Sequence, residues 1–339
     1  MSGLRILRAG PGVSVQDFGR SGARGQGLSR GGALDPVALQ EGAVLLGQDA
    51  RLAALEIAGS FLQLEATADA RIALTGMPMR AICDGAALAW NASHPLPAGA
   101  QLALTASPGG VSYLHVGGGI DTPEILGARA AHLAAGIGAM LTEGDSLPVG
   151  PDTGRRTGQT LTPLPRFDGG SLRLIETPQT ALFTAQERAR FAETRFTRDA
   201  RGNRMGQKLR HDGPGFACEG GRVILSDTIV TGDIQITGDG APFVLLAECQ
   251  TTGGYPRIGT VLPCDLPRLV QAPPDAPLRF SFVTLDEADA IERDHAARID
   301  ALPASLRPLI RDPRDMPDLL GYQLVGGVTR GDDLEQEKP

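Results

Sequence analysis

The sequence predicts a mainly β protein built as two tandem β-domains with a few short helices, and three observations carry that expectation. Apolar residues recur in short alternating runs bounded by Gly, Pro, Asp or Ser, the pattern of strands in a sandwich or barrel. Gly (45) and Pro (25) together make up about a fifth of the 339 residues, which favours turns over long helices. Between Gly150 and Gly170 the chain runs PDTGRRTGQTLTPLPRFDGG, poor in strand pattern and suited to a domain boundary. The expected division is therefore 1–150, a linker 151–170, a second domain 171–302 and a tail 303–339.

The strand-like runs are Leu4 to Leu7, Leu52 to Ile57, Phe61 to Leu64, Arg71 to Thr75, Gln101 to Leu104 and Val111 to Val116. Three helices are expected. The first covers Pro36 to Leu46, with Asp35 as N-cap and proline at the first position. The second covers Thr184 to Phe191. The third and longest covers Leu285 to Leu302, with Asp286, Glu287 and Asp289 in its opening turn. Past it, Gly321 to Val328 is apolar enough to dock on something, while Gly331 to Pro339 is charged. Gly25-Gln26-Gly27-Leu28 overlays Gly206-Gln207-Lys208-Leu209, a weak sign of duplication. Paired β-domains commonly place a ligand cleft at their junction.

Composition excludes several classes. Hydrophobic residues at 42% and charged residues at 21% describe a globular chain, and a net charge of −7 argues against a nucleic-acid partner. Thirty of the 32 basic residues are Arg, leaving Lys208 as the one lysine outside the extreme tail. Lys208 could hold an anion, though a solvated surface role ranks first. Cys83, Cys218, Cys249 and Cys264 lack the spacing of a zinc or redox pair, as do the five histidines that of a metal site, so no metal is expected. No signal-peptide core opens the chain and no run approaches the roughly 18 apolar residues of a membrane span. A cytoplasmic protein is expected.

Two segments concentrate chemical potential. Gln250-Thr251-Thr252-Gly253-Gly254-Tyr255-Pro256 combines a carboxamide, two hydroxyls, two glycines and a phenol between apolar runs. It reads as strand, polar turn, strand, with glycine amides free to face a ligand; a tight hairpin made by Gly-Gly and Tyr-Pro is equally consistent. Near the N-terminus, Gln16, Asp17 and Arg20 precede the glycine-rich stretch Gly22 to Gly32. An Arg fork can hold a carboxylate or phosphate and a neighbouring Asp can accept a proton; an ion pair that fixes a turn is the competing account. Gly117-Gly118-Gly119-Ile120-Asp121 could form an anion-binding nest of amides, but no phosphate-binding loop occurs. His115, in a strand-like run, is expected to be an interior imidazole, and Cys249 a buried inert thiol.

Taken in order, Gly12 to Arg20, Gly32-Ala33-Leu34-Asp35, Leu55-Glu56-Ile57, Gly117 to Asp121, Arg204-Met205-Gly206, Gln250 to Pro256 and Asp265-Leu266-Pro267 resemble one family over roughly residues 4 to 290. It is the biotin-dependent carboxyltransferase-like family, also called allophanate hydrolase subunit 2 or KipA-like. The resemblance implies two cyclophilin-like β-barrels. It also implies, for a stand-alone bacterial form similar to the C subunit of 5-oxoprolinase, work with a KipI-like protein and a LamB/YcsF-like protein. That complex opens 5-oxoproline to glutamate with ATP, and the isolated chain would bind no cofactor and be inactive alone. Two alternatives follow from the same family. One is transfer of a carboxyl group from carboxybiotin, on a separate carrier, to a urea or amide acceptor; the other is a non-catalytic KipA-type antagonist of a kinase inhibitor. The implied site residues are Asp17, Arg20 and Arg204 for catalysis, and Gln16, Arg129, Gln250, Thr251, Thr252, Gly253, Gly254 and Tyr255 for substrate. The chain departs from the family pattern at Gly31 (usually Ser), Leu34 (Met), Asn203 (an acid), Glu248-Cys249 (Asp-Arg), Ala128 (Ser) and His132 (Tyr).

Overall fold

In the computed structural model, which describes residues 3–105, 109–219, 224–310 and 313–315, three large sheets account for most of the chain. The first sheet orders its strands Ser146–Pro148, Gly3–Ala9, Leu62–Ala66, Gln101–Thr105, Arg80–Cys83 and Ala86–Leu88, each antiparallel to its neighbour. The second orders Val13–Gln16, Ala54–Ala58, Val111–Val116, Ala70–Gly76, Ala92–Leu96, Gln159–Thr160 and Arg307–Pro308. Their facing side chains, among them Leu4, Ile6, Leu62, Leu64, Leu55 and Leu114, close one apolar core. Strand Leu62–Ala66 alternates buried and half-buried positions, as expected where one face meets a core and the other meets solvent.

The third sheet orders Thr197–Asn203, Gly206–Arg210, Pro242–Leu245, Asp233–Ile236, Arg257–Val261, Gly170–Ile175 and Leu278–Phe282, the last two strands being parallel. Phe183, Phe191, Phe196, Phe216 and Phe280 fill its core, which continues into the first half through Ala38, Leu39, Val111 and Tyr113. The protein is thus mainly β with curled sheets and few short helices, as the sequence predicts.

Stretch 151–170 is no detached connector. Gln159–Thr160 adds to the second sheet and pairs with Arg307–Pro308, which returns from beyond the last long helix. The buried Arg166 donates to both oxygens of Glu41 at 2.8 and 2.7 Å and to Asp35 at 2.7 Å. Gln271 clasps Val111 through its amide and carbonyl and donates to Asp35 at 2.7 Å.

The expected helices form at α1 (Pro36–Leu46), α2 (Ala185–Glu193) and α4 (Leu285–Asp300), and a short α3 (Leu266–Gln271) adds to them. Asp35 caps α1 by accepting from the Ala38 amide, and Thr184 caps α2. Thr284 and Glu287 close a capping box on α4. Helix α1 lies on strands Ala70–Gly76 and Val111–Val116, so every residue of Val111–Val116 is buried. Contact is closest at Gly42, where a Cβ would stand 2.3 Å from the His115 ring. Gly42→Ala is therefore expected to lower stability by about 1–3 kcal/mol through overpacking, read as a lower denaturation midpoint with an unchanged m-value.

Two expectations are corrected. Gln250 to Pro256 is not a tight hairpin, because strands Pro242–Leu245 and Arg257–Val261 both pair with Asp233–Ile236, which lies between them. The segment crosses that strand and contributes Thr252–Gly253, paired with Asp227–Thr228; neither Gly253 nor Gly254 takes a positive φ. The proposed duplication also fails locally, since Arg24–Gln26 is a 3-10 turn and Gly206–Arg210 a strand. Gly321 to Val328, expected to dock, lies outside the described residues.

Candidate functional site

The site is built where two loops of the first half meet the end of the third sheet. Residues 17–20 and 30–33 run against each other through Arg20 N–H to Arg30 O and Ala33 N–H to Asp17 O, both 2.8 Å. The approach requires glycine: a Cβ on Gly32, which has φ +84°, would stand 2.6 Å from the Gly19 nitrogen. Gly31 N–H then donates to Ala247 O at 3.0 Å, bringing the 20–30 loop onto the 247–251 segment. Between them opens a crevice of about 210 Å³ whose walls include Arg20, Arg24, Ser29, Arg30, Gln250 and Thr251. Among the described residues no carboxylate lines it, and neither Arg24 nor Arg30 is ion-paired. Three arginines in a wall shared with hydroxyls and a carboxamide give the crevice a positive balance suited to a small anion.

The expected site residues are distributed unevenly around this crevice. Arg20 is buried, donating from Nη2 to Ala130 O at 2.5 Å and from Nε to Ile125 O at 3.4 Å, while its Nη1 has no partner among the described residues. Burial lowers its pKa, against the pull of Asp17 and Glu248. Gln250 and Thr251 join it in the wall; Gly253, Gly254 and Tyr255 do not. Thr252 and Gly253 are committed to the two-strand ladder, Gly254 O accepts from Ile224 N–H, and Tyr255 is exposed. Asp17 accepts from Gly19 N–H at 2.7 Å and Arg129 N–H at 2.6 Å, and forms no ion pair with Arg20. Gln16 is fully buried, donating to Ser14 Oγ at 2.9 Å and Ala131 O at 3.3 Å, its Oε1 unpartnered among the described residues. Arg129 points elsewhere, pairing with Asp121 at 2.7 Å at the edge of a separate cavity that it shares with Ile125 and Met140.

Arg204 is not free to grip a ligand. Its Nε donates to Glu248 Oε1 at 2.5 Å, its Nη2 to Gly32 O at 2.6 Å, and its Nη1 to Glu56 Oε1. Glu56 in turn accepts from Tyr113 OH at 2.5 Å and Leu34 N–H at 2.8 Å. Burial and Glu56 push the Tyr113 hydroxyl well above its ordinary pKa. This buried chain of charges joins the two halves. It also walls a second, larger cleft of about 620 Å³ between them, lined by Met140, Arg198, Asn203, Met205, Gln207 and Val270 among others.

Behind the crevice stands a grouping that no linear motif announces. Ser29 Oγ lies 2.8 Å from His132 Nε2, and His132 Nδ1 lies 3.9 Å from Glu248 Oε2. Burial pushes the His132 pKa down, opposed by Glu248. Their separation along the chain hides them: Ser29 and His132 are 103 residues apart. In the sequence His132 and Glu248 are marked only as departures from the family pattern, and Ser29 is not marked at all. The Gly117 to Asp121 stretch is corrected as a nest: its five amides are spent on Arg71 O, Gln48 Oε1, Val116 O, Ala53 O and Pro148 O. Lys208 pairs with Asp239 at 2.8 Å, and Cys249 is a buried thiol whose pKa burial raises.

A two-half β fold with a crevice of this kind defines a class. Residues 26–282 match the model of the carboxyltransferase domain, subdomains A and B, and the chain belongs to that family. Among its relatives it is 34% identical over 304 residues to the C subunit of 5-oxoprolinase from Escherichia coli (strain K12), covering 88% of this chain and 97% of that one. It is 29% identical, over the same shares, to the protein of the same name from Haemophilus influenzae. Among solved structures, TTHA0988 superposes with a TM-score of 0.75 at 30% identity, covering 83% of this chain and 56% of that chain. The Kluyveromyces lactis urea carboxylase superposes with a TM-score of 0.79 at 22% identity over 92% of this chain, which spans 31% of that protein. Against these larger structures the chain thus corresponds to one part.

Proposed function

We propose that the chain is the C subunit of an ATP-dependent 5-oxoprolinase, acting in the cytoplasm with a KipI-like protein and a LamB/YcsF-like protein to open 5-oxoproline to glutamate. The observation that carries this reading is the small crevice lined by Arg20, Arg24, Arg30, Gln250 and Thr251 with no carboxylate among the described residues of its wall. A cyclic amide bearing one carboxylate matches both sides. Arg24 holds the substrate carboxylate, and the Thr251 hydroxyl and Gln250 carboxamide donate to the lactam carbonyl as charge develops on its oxygen. Each well-placed donor is worth about 3 kcal/mol in the transition state. The purified chain and its two partner proteins, mixed in all combinations with 5-oxoproline and ATP, test the reading by glutamate release; turnover without this chain overturns it.

Arg24 is exposed and forms no ion pair among the described residues, so its replacement disturbs binding without disturbing the fold. In the reconstituted complex Arg24→Ala is expected to raise KM about 10- to 100-fold with an unchanged thermal midpoint, the loss of one charge-assisted hydrogen bond. An unchanged KM removes Arg24 from the carboxylate site. A second reading, carboxyl transfer from carboxybiotin on a separate carrier to a urea-like acceptor, draws on the larger cleft, whose walls are mostly apolar. Carboxylated product formed with a biotin carboxylase and carrier, in place of glutamate, distinguishes it.

A further inference from the structure

We propose that Ser29 is an acyl-accepting nucleophile, with His132 as its general base and Glu248 as the positioning carboxylate that orients the imidazole. The crevice is the one described above, but the inference holds for any small acyl donor and does not depend on 5-oxoproline, ATP or partner proteins.

Three observations support it. Ser29 is 8% exposed, sits in the crevice wall and has its Oγ 2.8 Å from His132 Nε2, the separation at which a base takes a hydroxyl proton. For Nε2 to accept, the ring proton must sit on Nδ1. That nitrogen is buried with no hydrogen-bond partner among the described residues and faces Glu248 Oε2 at 3.9 Å, so a shift of about 1 Å completes a hydrogen bond. Glu248 is itself fixed, by Arg204 Nε at Oε1 and by Ala134 N–H at Oε2. The positions are locked around Gly31: a Cβ there would stand 3.1 Å from His132 Cδ2 and 3.4 Å from Arg20 Nη1. Gly31 thus packs against both the imidazole and the guanidinium. Burial keeps the imidazole neutral and able to accept a proton.

The step balances within these groups. Ser29 Oγ forms a bond to the acyl carbon as its proton passes to His132 Nε2, and the carbonyl π pair moves to oxygen. Collapse breaks the bond to the leaving group, which departs with its electron pair and takes the proton from His132; water then releases the acid by the reverse path. The volume of about 210 Å³ and the three arginines select a short acyl group, preferably one carrying a negative charge.

The test uses the full chain alone with p-nitrophenyl acetate, followed by digestion and mass spectrometry to locate the acetyl group. A burst of p-nitrophenolate is expected, approaching one per chain, with acetyl on Ser29. Ser29→Ala should abolish the burst, and His132→Gln should slow it by at least about 100-fold, with circular dichroism confirming the fold of each. The charged groups facing His132 are Glu248, Arg20 and Arg204. Glu248→Gln removes the one that raises its pKa, so the midpoint of the pH–acylation profile should fall, which a purely structural carboxylate would not cause. Acetyl on Cys249 and none on Ser29 in the wild-type chain overturns the proposal without reliance on any variant, as does a folded His132→Gln that acylates at the wild-type rate. Loss of glutamate release in the reconstituted complex with Ser29 acylation intact would count against the 5-oxoprolinase reading only.

Discussion

Arg204→Ala is expected to destabilise the protein by about 3–5 kcal/mol. The reason is what it leaves behind. Glu56 and Glu248 are 0% and 2% exposed, and both depend on the same guanidinium for compensation. Removing one partner of a buried ion pair costs far more than the pair contributes, because an uncompensated charge remains out of water. Here two carboxylates remain, and the hydrogen bond to Gly32 O that holds the crevice loop is lost as well. Equilibrium urea unfolding measures the effect as a lower midpoint. Arg204→Met in a Glu56→Gln, Glu248→Gln background should recover much of the loss, since the stranded charges are then gone. A single Arg204→Ala within about 0.5 kcal/mol of wild type, the scale of an ordinary surface change, would show that water reaches the network and that it does not join the halves.

The parts of the fold that the sequence discloses are those set by local chemistry. Asp35-Pro36 and Thr284 with Glu287 announce helix starts because their side chains satisfy first-turn amides nearby in sequence. Alternation discloses strands such as Leu62–Ala66 because one face is wet. Helix α3 escapes because six residues entered from a 3-10 turn at Pro263–Asp265 are too short for a 3.6-residue period to show. The crossing geometry of Gln250 to Pro256 escapes because it depends on which strand fills the gap between its flanks, and pairing order is not a local property.

The same division separates the site residues. Arg20 and Gln250–Thr251 stand out in sequence because polar groups cluster beside glycines there, and the fold does bring them to one crevice. Arg204 stands out equally, yet its charge is consumed by Glu56, a carboxylate set within a strand in which every other residue but the last is buried and apolar. A lone acid in an apolar strand is the signal that a buried cation must come to meet it. Glu41 on the buried face of α1 gives the same signal for Arg166. Burial raises the Glu41 pKa while Arg166 opposes the shift. Ser29, His132 and Glu248 carry no such mark, because their association exists only once both halves have docked.

His115 gives the second large effect, and its sign follows from desolvation. The imidazole is fully buried between α1 and its sheet, with Nε2 at 2.7 Å from Thr75 Oγ1, the Tyr113 ring stacked 6.2 Å away and Gly42 closing over it. Burial is the one cause of its shift and lowers its pKa from 6.5 to about 3. The folded state therefore binds the proton less readily than the unfolded chain, and stability is lost as pH falls from about 6.5 toward 3. From pH 7 to pH 4 the loss from this group is on the order of 3 kcal/mol. Carboxylates held by arginines, such as Asp152 and Glu187, have lowered pKa values and act in the same direction, so the slope of the wild-type curve alone does not isolate the histidine. His115→Phe does. The ring keeps its flat contact with Gly42, and Thr75 Oγ1 keeps Ala38 O as an acceptor, so no buried donor is stranded. Urea unfolding at pH 7 and pH 4 should show the variant losing about 3 kcal/mol less than the wild type; equal losses would mean that the folded protein opens enough to protonate His115 without unfolding.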